Sequence, residues 1–531
     1  MREPLENLDT RVRPRFARPP QLSSADIVRW RGKTEFVLKG VADPLRQAGT
    51  YLVGAFADGT LLPSAERVDA ATHGALTAVI EGGDFDARAG AALVLYDLPG
   101  GPSHRVILVS LGPRESFTHR AFASALAAAG RLLVSMKPAL IVCTLAEVHV
   151  PGRSVAWRLR HTARFLADGF YSYACAGRAE NGEAHERPHR IEVRIPKYIT
   201  PDLEFALHCG AAIGEGIALA KDLANLPPNI CTPDYLAEVA VSIGRELGME
   251  VTVLDRFEME RLGMGCALAM APAEHQACKF IIVKHVRSEL HARPVVLIGK
   301  GVTFDSGAIL LKRSEDLDLM KYEMCGAATV LGILKMIGRV QLPLNVIGLI
   351  GAVESMPGGA ASRPGDVVSS LSGRTIEILD TDAGRLMLCD ALTYAERLDP
   401  ACVIDIATMQ GECATALGAS ASGLFANDDA LANELLRCGT DTCDRAWRLP
   451  LWDDCQEALK SNFADISTEA AKRGGDVGAA CFLSSFAAAY SWAHLDPTAT
   501  AFLRGDRKGA TGRPVPLLAE FLLRRAARAP A

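Results

Sequence analysis

The chain has 531 residues, too many for one ordinary core, and so divides into two or three folding units. Apolar residues make up 49% and charged residues 22%, a globular balance that excludes disordered and fibrous classes. A net charge of −5 supplies no general attraction for nucleic acid or for an acidic membrane surface.

From the amino terminus, residues 1–32 are rich in Arg and Pro and have little to bury, so a flexible extension is expected there. From 33 to 185, β-rich runs at Thr50–Ala55, Ala92–Tyr96, Arg105–Leu111 and Ala139–Thr144 alternate with helical stretches such as His119–Ser135. This βα repetition predicts an N-terminal α/β domain. Residues 152–182 have a helical pattern, and Glu183–Arg190 has the polar composition of an exposed connection. A second α/β unit, 186–531, is expected to hold a central mixed sheet flanked by helices. Its first helix, Glu204–Ala224, is stopped by Leu226-Pro227-Pro228-Asn229. Strands are predicted at Val251–Leu254, Phe280–Lys284, Val295–Ile298, Asn345–Gly351 and Ala401–Ala407. Helices are predicted at Ala327–Gly338, Gly384–Glu396 and Val515–Ala527.

Fourteen scattered cysteines without a CxxC pair fit reduced, buried thiols rather than a disulfide framework. No run of 18 or more uninterrupted apolar residues suggests a membrane span, and the acidic start (Glu3, Glu6, Asp9) lacks an apolar signal region. A cytoplasmic protein without a membrane partner is the expectation.

The chemistry concentrates in Gly299-Lys300-Gly301-Val302-Thr303-Phe304-Asp305-Ser306-Gly307, Lys312, Glu323 and Asp380-Thr381-Asp382-Ala383-Gly384-Arg385-Leu386. Lys300 follows an apolar strand, where open α/β sheets place ligands. Asp305, Glu323, Asp380 and Asp382 supply hard oxygen donors, and a lysine amine ligates a dication once neutral. Such a set suits a pair of divalent metal ions that activate water. Lys312 and Arg385 are candidates for stabilising a developing oxyanion or holding an anion.

These segments resemble the leucyl (cytosol) aminopeptidase family, most closely its proteobacterial aminopeptidase A type, over roughly residues 33–528. The resemblance includes Leu226-Pro227-Pro228-Asn229-Ile230-Cys231, Met320-Lys321-Tyr322-Glu323-Met324-Cys325-Gly326, Asn462-Phe463-Ala464-Asp465 and Lys508-Gly509-Ala510-Thr511-Gly512-Arg513-Pro514. It implies an N-terminal α/β domain, a C-terminal catalytic domain, a homohexamer, two divalent metal ions (Mn or Zn) and peptide substrates that lose their N-terminal residue. Carried over by position, Lys300, Asp305 and Asp382 match metal ligands, and Glu323 stands where the family has a ligating Asp. Lys312 matches the lysine that polarises the substrate carbonyl. Arg385 matches the arginine that holds a bicarbonate acting as general base.

The departures fall in the same place. The family's metal-bridging Glu is missing, since Gly384 follows Ala383 directly, and Ala308, Leu310 and Gly478 replace usual residues. Asp380 and Asp382, two apart in an extended segment, face one way and keep the spacing of the family's Asp and Glu. Two further roles stand beside the peptidase: a hexameric scaffold or regulator without hydrolysis, and a DNA-binding accessory protein. The last would draw on the Arg-rich extension and on Arg153, Arg158, Arg160 and Arg164, a pattern equally suited to a solvated helix face.

Overall fold

Two separate sheets organise the chain. A computed structural model describes residues 34–40, 49–136, 138–173, 190–271, 278–287, 292–305, 314–355, 363–379, 383–468 and 475–528. The extension 1–32 and most of the connection expected at 183–190 lie outside these residues.

The first sheet has the order β1-β6-β5-β2-β4-β3, with β1 Glu35–Gly40, β2 Thr50–Ala55, β3 Ala92–Tyr96, β4 Arg105–Ser110, β5 Leu140–Cys143 and β6 Arg190–Ile195. All its pairings are parallel except β3 on β4. Strand β2 is buried at every position, as a central parallel strand covered on both faces should be. The border expected at 185/186 is corrected by β6, which hydrogen-bonds between β1 and β5 although it follows that border. The polar run before β6 masked its membership in the first sheet.

The second sheet is mixed and eight-stranded. Its strands are β7 Glu250–Leu254, β8 Cys278–His285, β9 Val295–Asp305, β10 Val346–Ser355, β11 Cys402–Ile406, β12 Ser422–Ala426, β13 Ala446–Arg448 and β14 Trp492–Asp496. They run in the order β13-β12-β14-β11-β9-β10-β8-β7. Strands β14, β11, β9 and β10 are mutually parallel, and the antiparallel pairings lie outside them. The helix Cys325–Val340, apolar nearly all round, packs on β9 and on the long helix Pro201–Asn225. By length and composition alone Pro201–Asn225 is long and apolar enough to cross a membrane, although charged residues interrupt it. Of its most apolar window, 67% is buried inside the protein, which marks it as a core helix.

The arginines considered for DNA face inward instead. In helix Val155–Gly169, Arg160 pairs with Glu520 at 2.8 Å, and Arg164 donates to the Thr442 carbonyl at 2.7 Å. Just before this helix, Arg153 pairs with Asp441 at 2.5 Å, while Arg158 donates to the carbonyls of Ala146 and Glu147. Three of the four therefore fasten the first unit to the second, and none belongs to a solvated face.

Candidate active site

Lys300 lies inside β9, not just past its end as the sequence suggested. Strand β9 runs on to Asp305 because β10 stays paired with it from Val295 through Asp305, across one irregularity after Val353. Pairing with β11 ends one residue earlier than Lys300, at Gly299↔Ile406. The lysine thus occupies the point where one neighbouring strand has stopped, the position at which open α/β sheets leave room for ligands.

A carboxylate and a carbonyl close on its ammonium. Lys300 Nζ lies 2.5 Å from Glu323 Oε2 and donates to the Thr408 carbonyl at 2.7 Å. Thr408 Oγ1 in turn donates to the same Glu323 oxygen at 2.8 Å. Glu323 comes from a 3-10 segment, Ser314–Met324, which leads directly into helix Cys325–Val340. That helix start is pressed onto the sheet: a Cβ at Gly326 would fall 2.0 Å from the Ile406 carbonyl oxygen, so only glycine fits. A second helix, Ala383–Glu396, also begins against the lysine. A Cβ on Gly384 would lie 2.4 Å from Lys300 Cε and 2.7 Å from Nζ.

All these groups are dry. Lys300 is 2% exposed, Glu323 7%, Asp305 9% and Arg385 1%. Arg385, in the first turn of helix Ala383–Glu396, donates to the Thr468 carbonyl at 2.6 Å. Two helix N-termini converge here and add partial positive charge, which favours carboxylates and anionic groups. Lys312, Asp380 and Asp382 lie outside the described residues.

A cleft of about 590 Å³ opens on Glu323. Its wall includes Met320, Met409, Ala499 and Phe502, with Gln410 and Gly411 following Thr408. Behind that wall, Asp405 of β11 accepts from Trp492 Nε1 at 2.7 Å and meets His494 Nδ1 at 2.5 Å, fully buried. Burial opposes a charge on His494, but the carboxylates of Asp405, Asp496 and Asp476 together raise its pKa. Sequence reasoning missed Thr408, whose one signal is its place just after β11, beside the end of the apolar run in β9.

Family models match both halves of the chain. The cytosol aminopeptidase family's catalytic domain matches residues 218–519, and its N-terminal domain matches residues 52–175. The chain belongs to the cytosol aminopeptidase family. It is 51% identical over 495 residues to a probable cytosol aminopeptidase of Azoarcus sp., covering 93% of this chain and 99% of that one. A probable cytosol aminopeptidase of Aromatoleum aromaticum is likewise 51% identical, over 498 residues, with 93% and 100% covered. Among solved structures, a mutant tomato leucine aminopeptidase superposes with a TM-score of 0.81 at 29% identity, covering 93% of this chain and 97% of that one. The bottromycin maturation enzyme BotP in complex with Mn gives 0.76 at 31% identity, covering 90% and 100%. The two-domain α/β architecture is that of the leucine aminopeptidases, and membership of the cytosol aminopeptidase family supports a metal-dependent exopeptidase.

Proposed function

We propose that the chain is a leucyl-aminopeptidase-type hydrolase that removes N-terminal residues from peptides at the Lys300–Glu323 site. The observation that carries this reading is the buried contact of Lys300 with Glu323 and Thr408, beside a cleft of peptide size. The donor chemistry fits divalent cations: a buried amine and two buried carboxylates, Asp305 and Glu323, offer one nitrogen and hard oxygens. Lys300, Asp305 and Glu323, with Asp382 and Asp380, would hold two ions, Mn or Zn. When bound, these ions supply an activated water and polarise the scissile carbonyl.

The chain's own residues do the rest. Thr408 fixes Glu323 through its hydroxyl and Lys300 through its carbonyl, so the pair keeps its geometry without bulk water. The cleft wall takes up an apolar N-terminal side chain against Met320, Met409 and Phe502. Lys312 is assigned to the developing oxyanion and Arg385 to an anion that carries the proton. A homohexamer in the cytoplasm, with a first unit that begins near 33 and ends after β6, completes the reading.

A second reading has its own observation: the sequence lacks a Glu between Ala383 and Gly384, and the shortened helix start rests directly on Lys300. A family member that retains the fold and no longer hydrolyses peptides would be built this way. Turnover of Leu-p-nitroanilide with added Mn²⁺ or Zn²⁺, with metal analysis, separates the two. Two ions per chain and turnover abolished by Lys312→Ala support the peptidase. No turnover with at most one ion at this centre supports the second reading.

A further inference from the structure

Behind the loop that walls the cleft lies another group of ionisable side chains, unused by the peptidase reading. Cys413 is in the first turn of helix Glu412–Leu417, Asp476 in the first turn of helix Gly475–Ser484, and Asp496 ends β14. Their exposures are 2%, 2% and 0%, and one ligand-capable atom from each lies within 4.8 Å of the others. Asp476 accepts the backbone N–H groups of Gln410, Gly411 and Cys413 at 2.9, 3.2 and 2.5 Å.

An orphaned atom points to a missing occupant. Asp496 Oδ1 accepts from the Thr498 N–H and hydroxyl at 2.8 and 2.5 Å, yet its fully enclosed Oδ2 meets no donor among the described residues. A buried carboxylate oxygen without a partner gives up its hydration and gets nothing back. His494, on the same face of β14 two residues earlier, also has an unpartnered Nε2, and its Nδ1 is committed to Asp405. Two carboxyls and a thiol therefore share one enclosed space, and the nearby imidazole has one of its two nitrogens committed to Asp405. Burial and then the Asp476 charge push the Asp496 carboxyl up to about 6, and burial raises the Cys413 thiol. A dication reverses each of these penalties at once.

We propose that Cys413, Asp476 and Asp496 form a zinc site distinct from the peptidase centre. A thiolate beside two carboxylates suits Zn²⁺ and disfavours Mg²⁺ or Ca²⁺, and three protein ligands leave a fourth tetrahedral position for water. Binding releases the proton of the thiol to solvent. Its effect is on the cleft wall. Asp476 holds Gln410 and Gly411 from behind, and Thr498, tied to Asp496, accepts from the Met409 N–H at 2.9 Å. An ion here would clamp the strip Met409–Gly411, whose other side faces the cleft.

The test uses the full chain, stripped of metal and titrated with Co²⁺ alone. A thiolate-to-cobalt charge-transfer absorption is expected in the wild type, in Asp305→Asn and in Cys389→Ser, and is expected to vanish in Cys413→Ser. Lys300, Asp305, Glu323, Asp380 and Asp382 carry no sulfur, so failure of the peptidase centre cannot produce or remove this band. Should buried Cys413→Ser fail to fold, X-ray absorption of the zinc-loaded wild type decides, with a sulfur neighbour expected at about 2.3 Å. Three results overturn the site: bound cobalt without the band, a band that survives Cys413→Ser or is lost in Cys389→Ser, and zinc with only nitrogen and oxygen neighbours.

Discussion

Gly384→Ala tests whether the placement of Lys300 controls the site. The added methyl would sit 2.4 Å from Lys300 Cε and 2.7 Å from Nζ, while carbons in contact stand about 3.5–4.0 Å apart. Relief requires about 1 Å of movement, and the neighbour that yields most easily is the end of the lysine, not the helix backbone. That shift would stretch the 2.5 and 2.7 Å bonds to Glu323 and Thr408 beyond useful range. Misplacement of this size costs about a hundredfold in rate, or about 2.7 kcal/mol at 1.36 kcal/mol per tenfold. The fold itself should lose only the 1–3 kcal/mol typical of overpacking, about what urea denaturation resolves. The assay compares kcat/KM on Leu-p-nitroanilide and Mn²⁺ affinity by titration, variant against wild type. Wild-type values for both in a folded Gly384→Ala protein would refute the argument; if the wild type does not turn over, Mn²⁺ affinity alone decides.

Asp390 is buried while accepting the Ala267 and Leu371 N–H groups, and burial pushes its pKa from 3.8 up to about 6. Between those values the folded state binds more protons than the unfolded, so its contribution to stability declines as pH rises from about 4 to about 6. Asp390→Asn should flatten that slope in pH-dependent urea melts, while lowering stability because its NH₂ must face one of the two N–H donors; an unchanged slope would contradict this. Arg160→Ala strips one partner from Glu520, whose side chain is 4% exposed, and should cost about 1–3 kcal/mol in denaturation. DNA retention at low salt should be the same as for the wild type; weakened retention at unchanged stability would return this helix to the DNA-binding reading.

Much of the fold is legible in the sequence because buried parallel strands and long apolar helices carry strong periodicity. The strands of β2, β3 and β7 and the helices Pro201–Asn225 and Val515–Arg528 fall within a few residues of expectation. The expected strand Val295–Ile298 is shorter than β9 because Gly299-Lys300-Gly301 interrupts the apolar run. Those glycines serve close approach instead, as helix Cys325–Val340 and strand β10 press against them. Strand β6 was lost to the polar run before it. At the candidate site, contiguous motifs single out Lys300, Asp305, Glu323 and Arg385 as candidates, whereas finding Thr408 beside Lys300 requires knowing that β11 lies beside β9. Cys413, Asp476 and Asp496 stand on three segments whose adjacency comes only from the order of β12, β14 and β11, so no spacing pattern announces them.

The fastening of helix Val155–Gly169 onto Asp441, Thr442 and Glu520 bears on how this protein can be dissected. A truncation starting at Pro201 would strip the cover from an apolar helix of 25 residues and leave Glu520 short of a cation. The carboxy-terminal half is therefore no minimal peptidase: produced alone, it would reach the test tube as a sticky, aggregating fragment.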